Sequence, residues 1–552
     1  MSSQIVEGKI VSSQSFWDDS ASNIYTAYTI DVNKVFKGNI TNEVTIVIQG
    51  GVVGLQAEIV SHSIYPKTND VGVFLLSDNL QSLNVTRSDA MLYRPVLDAQ
   101  YFYKYSMLDD IASSPLHAVS GIRSRLYQKI SDETQIPMVD FKKFEINSIG
   151  SSESRETTNR MNPSIQSFSA SDSSAGTKSI LTINGSNFGA TKGEVGFSDA
   201  DLGGLLYTYA LDSQVINWSD TQIQVEIPDY AGTGRIRVRT FDNLTDTSTN
   251  SVNIDFAQIN MPYDLGDGEK DFPTQYIDSN SDGGNTWQMN TSFYNSDAKI
   301  PFEKALEAWS CNTGVNWQVS STTTASSTVA NDDVNIVTFN SLPAGILGQC
   351  ISRYGGCFVG GEIKWYVEEL DIVFNSNINW NYTDSAPLSS QYDFESVAVH
   401  ELGHGHQMGH VINSDQIMHY ALSGGISRRQ LSQDDIDGAL DVMGRSATEP
   451  ICSQSVMTES SCFAQPSLNN DDYVLEDAIA IYPNPATDHV IIKTNFQIED
   501  ITLYNVNGQR LNQGQYTLNN RNTLNFRKVS SGLYFLQIET TEGTVTKKVF
   551  VN

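Results

Sequence analysis

No run of about eighteen apolar residues, the length a helix needs to cross a bilayer, occurs in the 552 residues, so no transmembrane segment is expected. Positive charge is scarce. Lys and Arg number 34 against 64 Asp and Glu, a formal net charge of -30, and that surplus of carboxylates repels nucleic-acid phosphates and anionic membrane surfaces. No nucleic-acid partner is therefore expected. The acidity suits a soluble extracellular protein and also makes calcium sites easier to build. Cysteine is sparse and confined: all five residues lie between Cys311 and Cys462. Cys350 with Cys357, and Cys452 with Cys462, are close enough in sequence to close small loops. Cys311 with a member of the first pair is an alternative, as are free buried thiols, and sequence leaves the connectivity open. The opening MSSQIVEGKIV lacks the apolar core of a secretory signal, which fits either a cytosolic protein or one whose signal has been removed.

What is present reads as several folded modules. The length exceeds what one hydrophobic core organises, giving an expectation of about three to five domains. With 39% hydrophobic and 10% aromatic residues there is ample core material. Residues 1–155 open with strand-like runs, IVEGKIV, YTAYTIDVNKVFKG and EVTIVIQGG, and later carry LHAVSGIRSRLYQKI with helical spacing. A β-rich N-terminal domain is expected, as a propeptide or an accessory module. The polar stretch 148–164 reads as a linker. Residues 162–256 carry short alternating runs bounded by Gly, Pro, Asn or Asp, the pattern of a β-sandwich. Another sandwich is expected over 476–552, where alternating runs are separated by Asn-Gly and Ser-Gly turns, with 451–475 as a linker before it.

The chemistry lies in 257–450. FESVAVHELGHGHQMGH, residues 394–410, reads as a helix on which His400 and His404, four positions apart, project from one face. Two imidazoles so placed can grip one ion. Glu401 stands where it reaches a water at an open coordination position without being a ligand. Zn2+ is the expected ion, because neutral imidazoles and an open site suit it and it brings bound water to a pKa of about 7. A solvated surface helix with two histidines is the bland alternative, but the apolar VAV before His400 argues for a buried helix. His410 can return to the metal once the helix ends. Asp415 is an alternative third ligand, while His406, two positions from His404, faces the other way. Met418 follows in QIMHY, and LSQDDIDGALDVMG places Ser432 and Asp435 in capping-box spacing at the start of a last helix.

Together these features resemble the metzincin clan of zinc peptidases, with three histidines, a glutamate and a methionine-containing turn. The last helix is most similar to matrixins, and IMHY to the astacin turn. The resemblance implies an α+β metzincin-like catalytic domain in which His400, His404 and His410 are zinc ligands, Glu401 the general base, Met418 the floor of the site and Tyr420 an oxyanion stabiliser. One position departs from the pattern: Gln407 stands where the family places the glycine at which the chain leaves the helix. NGSNFG and WSDTQI in 162–256 resemble the immunoglobulin-like IPT/TIG family, implying a spacer or a binding platform. YPNPATD, YNVNGQ and SGLYFLQI resemble the C-terminal sorting domain of the type IX secretion system of Bacteroidetes. That resemblance implies export to the surface or medium by the type IX machinery and a signal peptide upstream.

The expected function is that of a secreted zinc endopeptidase acting on an extracellular polypeptide substrate, held by strand addition to an edge near WYVEELDIVFN. A surface adhesin or glycan-binding protein with a structural or vestigial zinc site is the rival. Since 1–310 hold no cysteine, an N-terminal block of the metal is expected to use a carboxylate or simple occlusion. A possible Ca2+ loop is read in YIDSNSDGGN, where Asp278, Asn280 and Asp282 alternate ahead of Gly283. Its twelfth position is Met289 rather than Glu, which fits an ordinary Asx-rich turn better than a calcium loop.

Overall fold

The structure is a computed structural model that describes residues 2–79, 92–96, 101–115, 117–142, 161–170, 173–462, 479–494, 498–506, 508–511, 516–518, 523–526, 529–540 and 543–551. The expected linker at 148–164 lies mostly outside these residues, as do 463–475 of the second linker. Two compact units divide the chain, Met1–Phe463 and Ala464–Asn552.

In the first unit, the N-terminal strands Gln4–Trp17, Ile24–Lys37, Glu43–Gln49, Leu92–Pro95 and Val71–Ser77 pair in that order, and the last pairs back with the first. The sheet thus closes on itself around Val6, Ile30, Ile46, Phe74 and Phe102, leaving no free edge in the ring. The helix expected from LHAVSGIRSRLYQKI begins only at Ile122: His117–Ser120 pair as a strand with Ile111–Ser114, and Gly121, at φ 87, turns the chain into the helix. Residues 164–252 form a sandwich of two four-stranded sheets over Leu181, Ile183, Phe197, Val225 and Ile236.

Residues 285–375 build a mixed sheet in the order Trp317–Val319, Asn285–Met289, Asn335–Asn340, Glu362–Asn375, Gly348–Val359. The first four pair in parallel, and Gly348–Val359 runs antiparallel. Helices Lys299–Thr313 and Phe394–Gly405 pack Phe302, Trp309, Val399 and Leu402 into one core with Ile372 and Phe374 of the sheet. WYVEELDIVFN is a single strand inside the sheet rather than a pair leading to an edge. The edge of this sheet is Gly348–Val359, and it is already paired: Gln56–Val60 of the N-terminal region adds to it antiparallel, Val60 opposite Ile351 and Gln56 opposite Gly355.

The cysteine expectations change accordingly. Cys350 and Cys357 lie on one strand, seven residues and therefore about 23 Å apart, so they cannot pair. The disulfides are Cys311–Cys462 and Cys357–Cys452, and Cys350 is a buried free thiol. Both bridges tie 451–462 to the core of this sheet and its helices, where Ile451 and Met457 are buried, so this stretch is part of the folded domain rather than a free linker.

The second unit is a sandwich of the sheets Ala480–Tyr482, His489–Lys493, Thr523–Phe526, Tyr516–Leu518 and Ile498–Asn505, Gly532–Thr540, Gly543–Val551. Val490, Leu503, Leu536 and Val549 fill its core. Position 507, within YNVNGQ, lies outside the described residues.

Candidate metal centre

The helix Phe394–Gly405 starts where Asp393 caps it, its carboxylate accepting from the Ser396 N–H at 3.1 Å and Oγ at 2.5 Å. Trp309 Nε1 donates to the Val399 carbonyl at 2.8 Å and fixes the helix against its neighbour. One turn separates His400 from His404. The chain then leaves the helix at Gln407, which adopts φ 66. A left-handed conformation costs a non-glycine residue about 1–2 kcal/mol. The buried amide offsets it: Gln407 Oε1 accepts from Tyr354 Oη at 2.8 Å and Thr274 Oγ1 at 2.9 Å, and its Nε2 donates to the Gly405 carbonyl at 2.9 Å. The turn returns His410 until its Nε2 lies 3.1 Å from that of His404. His406 instead enters the core, beside Thr313 and the rings of Trp309 and Trp317.

Each of the three imidazoles has an oxygen acceptor at Nδ1. His400 faces the Ile417 carbonyl at 2.8 Å, His404 the Met408 carbonyl at 2.9 Å and His410 the Asp201 carboxylate at 2.7 Å. The acceptors place the ring proton on Nδ1 and leave lone pairs at Nε2, the tautomer a metal requires. Burial lowers the pKa of all three, that of His400 to about 4, and so keeps them neutral. Tetrahedral zinc with Zn–N of 2.0–2.1 Å separates its ligand nitrogens by about 3.3 Å, and the 3.1 Å between His404 and His410 fits. The donor set therefore suits zinc. Asp201 comes from the middle sandwich, and no local sequence pattern marks it.

Glu401 is 1% exposed, next to the metal-facing nitrogens. Its carboxylate meets two residues of the N-terminal region: His62 Nε2 at 3.0 Å from Oε1, and Ser61 Oγ donating to Oε2 at 3.0 Å. Burial opposes ionisation of Glu401, but His62 holds its pKa down to about 2; burial likewise opposes the charge on His62, and Glu401 raises it. Among the described residues, His62, His400, His404 and His410 form the one converging group of metal-ligating side chains, their ligand atoms all within 4.8 Å of one another. An N-terminal block was expected to use a carboxylate or simple occlusion; the group at the centre is instead an imidazole. Asp415 is not part of the group.

Comparison with known proteins assigns this region to a family. Residues 285–444 match the family profile described as Matrixin. The chain carries a matrixin domain. Residues 163–256 match the IPT/TIG domain and 480–552 the Secretion system C-terminal sorting domain. The Metalloendoproteinase 5-MMP of Arabidopsis thaliana is 45% identical over 58 residues, 10% of this chain and 16% of that protein. Metalloendoproteinase 1 of Glycine max is 33% identical over 103 residues, 18% of this chain and 30% of that protein. This chain thus spans less than a third of the length of either relative.

In the matrixin domain Met418 is buried beneath the site helix, so close to Gly403 that a Cβ there would lie 2.2 Å from its Sδ. Asp435 caps the last helix with Ser432 and also accepts from the Ile417 N–H at 3.1 Å, tying the methionine turn to that helix. Tyr420 lines a cavity of about 190 Å³ beside His400 and Glu401, together with Leu347, Val397 and Arg428. Its hydroxyl packs against Gly203 of the sandwich, where φ 60 and the lack of a side chain make room. At the expected calcium loop, Asp278 Oδ1 accepts from the Gly283 N–H at 3.0 Å, and Asn280 Oδ1 from those of Asp282 at 2.8 Å and Gly284 at 3.1 Å. These bonds make a self-contained Asx turn, and calcium forms no part of the function proposed below.

Proposed function

We propose that this chain is a secreted zinc endopeptidase, with His400, His404 and His410 as ligands, Glu401 as general base, Met418 as the floor of the site and Tyr420 as oxyanion stabiliser. The observation that carries the reading is the convergence of three Nε2 lone pairs beside a buried carboxylate that is not itself among the metal-facing donors. His400, His404 and His410 would hold zinc, which would supply an activated water and Lewis-acid polarisation of a peptide carbonyl. Glu401 takes the proton of the attacking water and delivers it to the leaving amine. Tyr420, which lines the cavity, is assigned to donate its hydroxyl to the oxygen that gains charge. The freed edge of Gly348–Val359 receives an extended polypeptide as an added strand. The sorting-domain match supports export to the cell surface or medium of a Bacteroidetes bacterium by the type IX machinery, and among the described residues no helix is long and apolar enough to cross a membrane.

A second reading, an adhesin with a structural zinc site, is favoured by one observation: His62 stands where a fourth protein ligand would close the coordination sphere, as structural sites do. The discriminating experiment is casein digestion by the full chain and by His62→Ala, each with and without Glu401→Ala. Chelator-sensitive cleavage in the His62→Ala protein that Glu401→Ala abolishes, while zinc content is unchanged, supports the peptidase. A zinc-loaded His62→Ala protein that cleaves nothing rejects it.

A further inference from the structure

Resting on the peptidase reading, we propose that the N-terminal barrel supplies the imidazole of His62 as a fourth ligand to the metal held by His400, His404 and His410. Residues 56–62 then hold the centre closed as a built-in, displaceable plug.

The four rings are disposed as a tetrahedral site requires. Ring centroids of His62 lie 5.4, 5.2 and 5.1 Å from those of His400, His404 and His410, and those three lie 4.7, 5.3 and 4.7 Å from one another. Four imidazoles around one zinc, with Zn–N of 2.0–2.1 Å, have centroids about 5 Å apart. With Nε2 of His62 held by Glu401 Oε1, its Nδ1 is the nitrogen left to enter the corner that His400, His404 and His410 leave open. The His62 backbone is held at φ 59, a conformation a residue with a Cβ seldom adopts unless its surroundings impose it.

The same short segment occupies everything else that hydrolysis needs. Gln56–Val60 takes the edge of Gly348–Val359, and the ladder continues into Ser61, whose N–H donates to the Cys350 carbonyl at 2.9 Å. Ser61 Oγ accepts from the Cys350 N–H at 2.8 Å and donates to Glu401 Oε2, while His62 takes Oε1. Coordination corner, general base and substrate edge are thus filled by consecutive residues. A domain packed passively against the matrixin face has no reason to meet all three.

The contact is also built to be released. Within the strand, Glu58 faces the buried Arg353 at 3.4 Å, but Arg353 already holds Glu369 at 2.5 Å and Asp371 at 2.7 Å. When the strand leaves, the guanidinium keeps two carboxylates and no buried charge is stranded.

The test is X-ray absorption at the zinc edge of the zinc-loaded full chain and of His62→Ala. The proposal requires four imidazole nitrogens in the unmodified chain, and three plus one water oxygen in the variant. Three imidazoles plus an oxygen in the unmodified chain, or a spectrum that His62→Ala leaves unchanged, overturns it; the unmodified chain alone decides if the variant misfolds. In a cobalt-loaded pair, acetohydroxamate should shift the visible spectrum of His62→Ala at once and leave the unmodified chain unaltered. A plug that keeps the open form at 0.1–10% of the population predicts an approximately 10- to 1,000-fold gain in peptide hydrolysis on His62→Ala. Four imidazoles without any such gain would uphold the ligand and sink the peptidase reading. Failure to bind metal at all would sink both.

Discussion

His410 Nδ1 and Asp201 Oδ1 lie 2.7 Å apart although 209 positions separate them in sequence, so the middle sandwich contributes a carboxylate to the candidate metal centre. An acceptor at Nδ1 fixes the tautomer and orientation of a ligand imidazole, and removing such a partner typically costs about 10–100-fold in metal affinity. Asp201→Ala should weaken zinc binding by that factor in a chelator competition while leaving the circular dichroism spectrum unchanged. Asp201→Asn, which keeps an oxygen acceptor, should recover part of the loss. Equal affinity in all three proteins would mean that the sandwich is only a spacer.

Gly403 faces the sulfur of Met418 at a separation that no side chain tolerates, since an added Cβ would sit 2.2 Å from Sδ and 3.0 Å from Trp309. Gly403→Ala should therefore destabilise the first unit by about 1–3 kcal/mol, the usual range for overpacking a filled core, seen as a lower thermal midpoint. Gly348→Ala differs, because its Cβ would meet the Glu401 side chain at 2.8 Å. That variant should lose hydrolysis at a smaller cost in thermal stability.

Docking of the plug should weaken as pH rises. Burial raises the pKa of Glu58, opposed by Arg353 and by hydrogen bonds from Gln49 and the Ile24 N–H, with Asp18 adding to the rise. Glu369, lifted by burial to about 7, and Asp371, to about 6, stay with Arg353 when the strand leaves, so the dependence rests on Glu58. Carboxyls whose pKa is raised in the docked form bind protons more tightly there than after release. The stability they contribute is fully present below their ordinary values and is lost as pH climbs through the raised ones. Protection factors for the Gln56–Val60 amides in hydrogen exchange should fall as pH climbs above the ordinary carboxyl range, after correction for intrinsic rates. Glu58→Gln should flatten the dependence; an unchanged slope would assign it to other groups.

How far the sequence could be read depended on how local each arrangement is. His400, Glu401, His404 and His410 come from one helix and the turn after it, so 3.6-residue periodicity suffices to bring the first three together. Ser432 and Asp435 cap their helix as their spacing indicates. Gln407 shows its left-handed backbone as a departure from glycine, but Tyr354 and Thr274, which hold its amide, are invisible in the local text. His62 and Asp201 reach the centre from other domains, 339 positions from Glu401 in the first case, and nothing in their neighbours distinguishes them. Strand order was hidden for the same reason: which strand forms the edge, and that Cys350 and Cys357 share one, follows only from the assembled sheet.

Arg428 gives the last prediction, on specificity. The cavity beside the centre has apolar walls from Leu347, Val397 and Leu422, and Arg428 lines it as well. Burial lowers the pKa of its guanidinium, partly offset by Asp415 and Asp435, yet a guanidinium is basic enough to keep its charge in proteins. A charge in a low-dielectric wall gains most from an opposite charge placed against it. Substrates whose side chain enters this cavity should therefore be long, and those ending in a carboxylate or amide oxygen should be cleaved faster than aliphatic ones of equal size. Profiling peptide-library cleavage by the His62→Ala protein tests this directly. Arg428→Leu should move the preference toward leucine and methionine, changing kcat/KM ratios between acidic and aliphatic substrates by about 10-fold or more, the scale on which a polar site rejects an unmatched group. A profile that Arg428→Leu does not alter would place the specificity-determining contact on another part of the cavity wall.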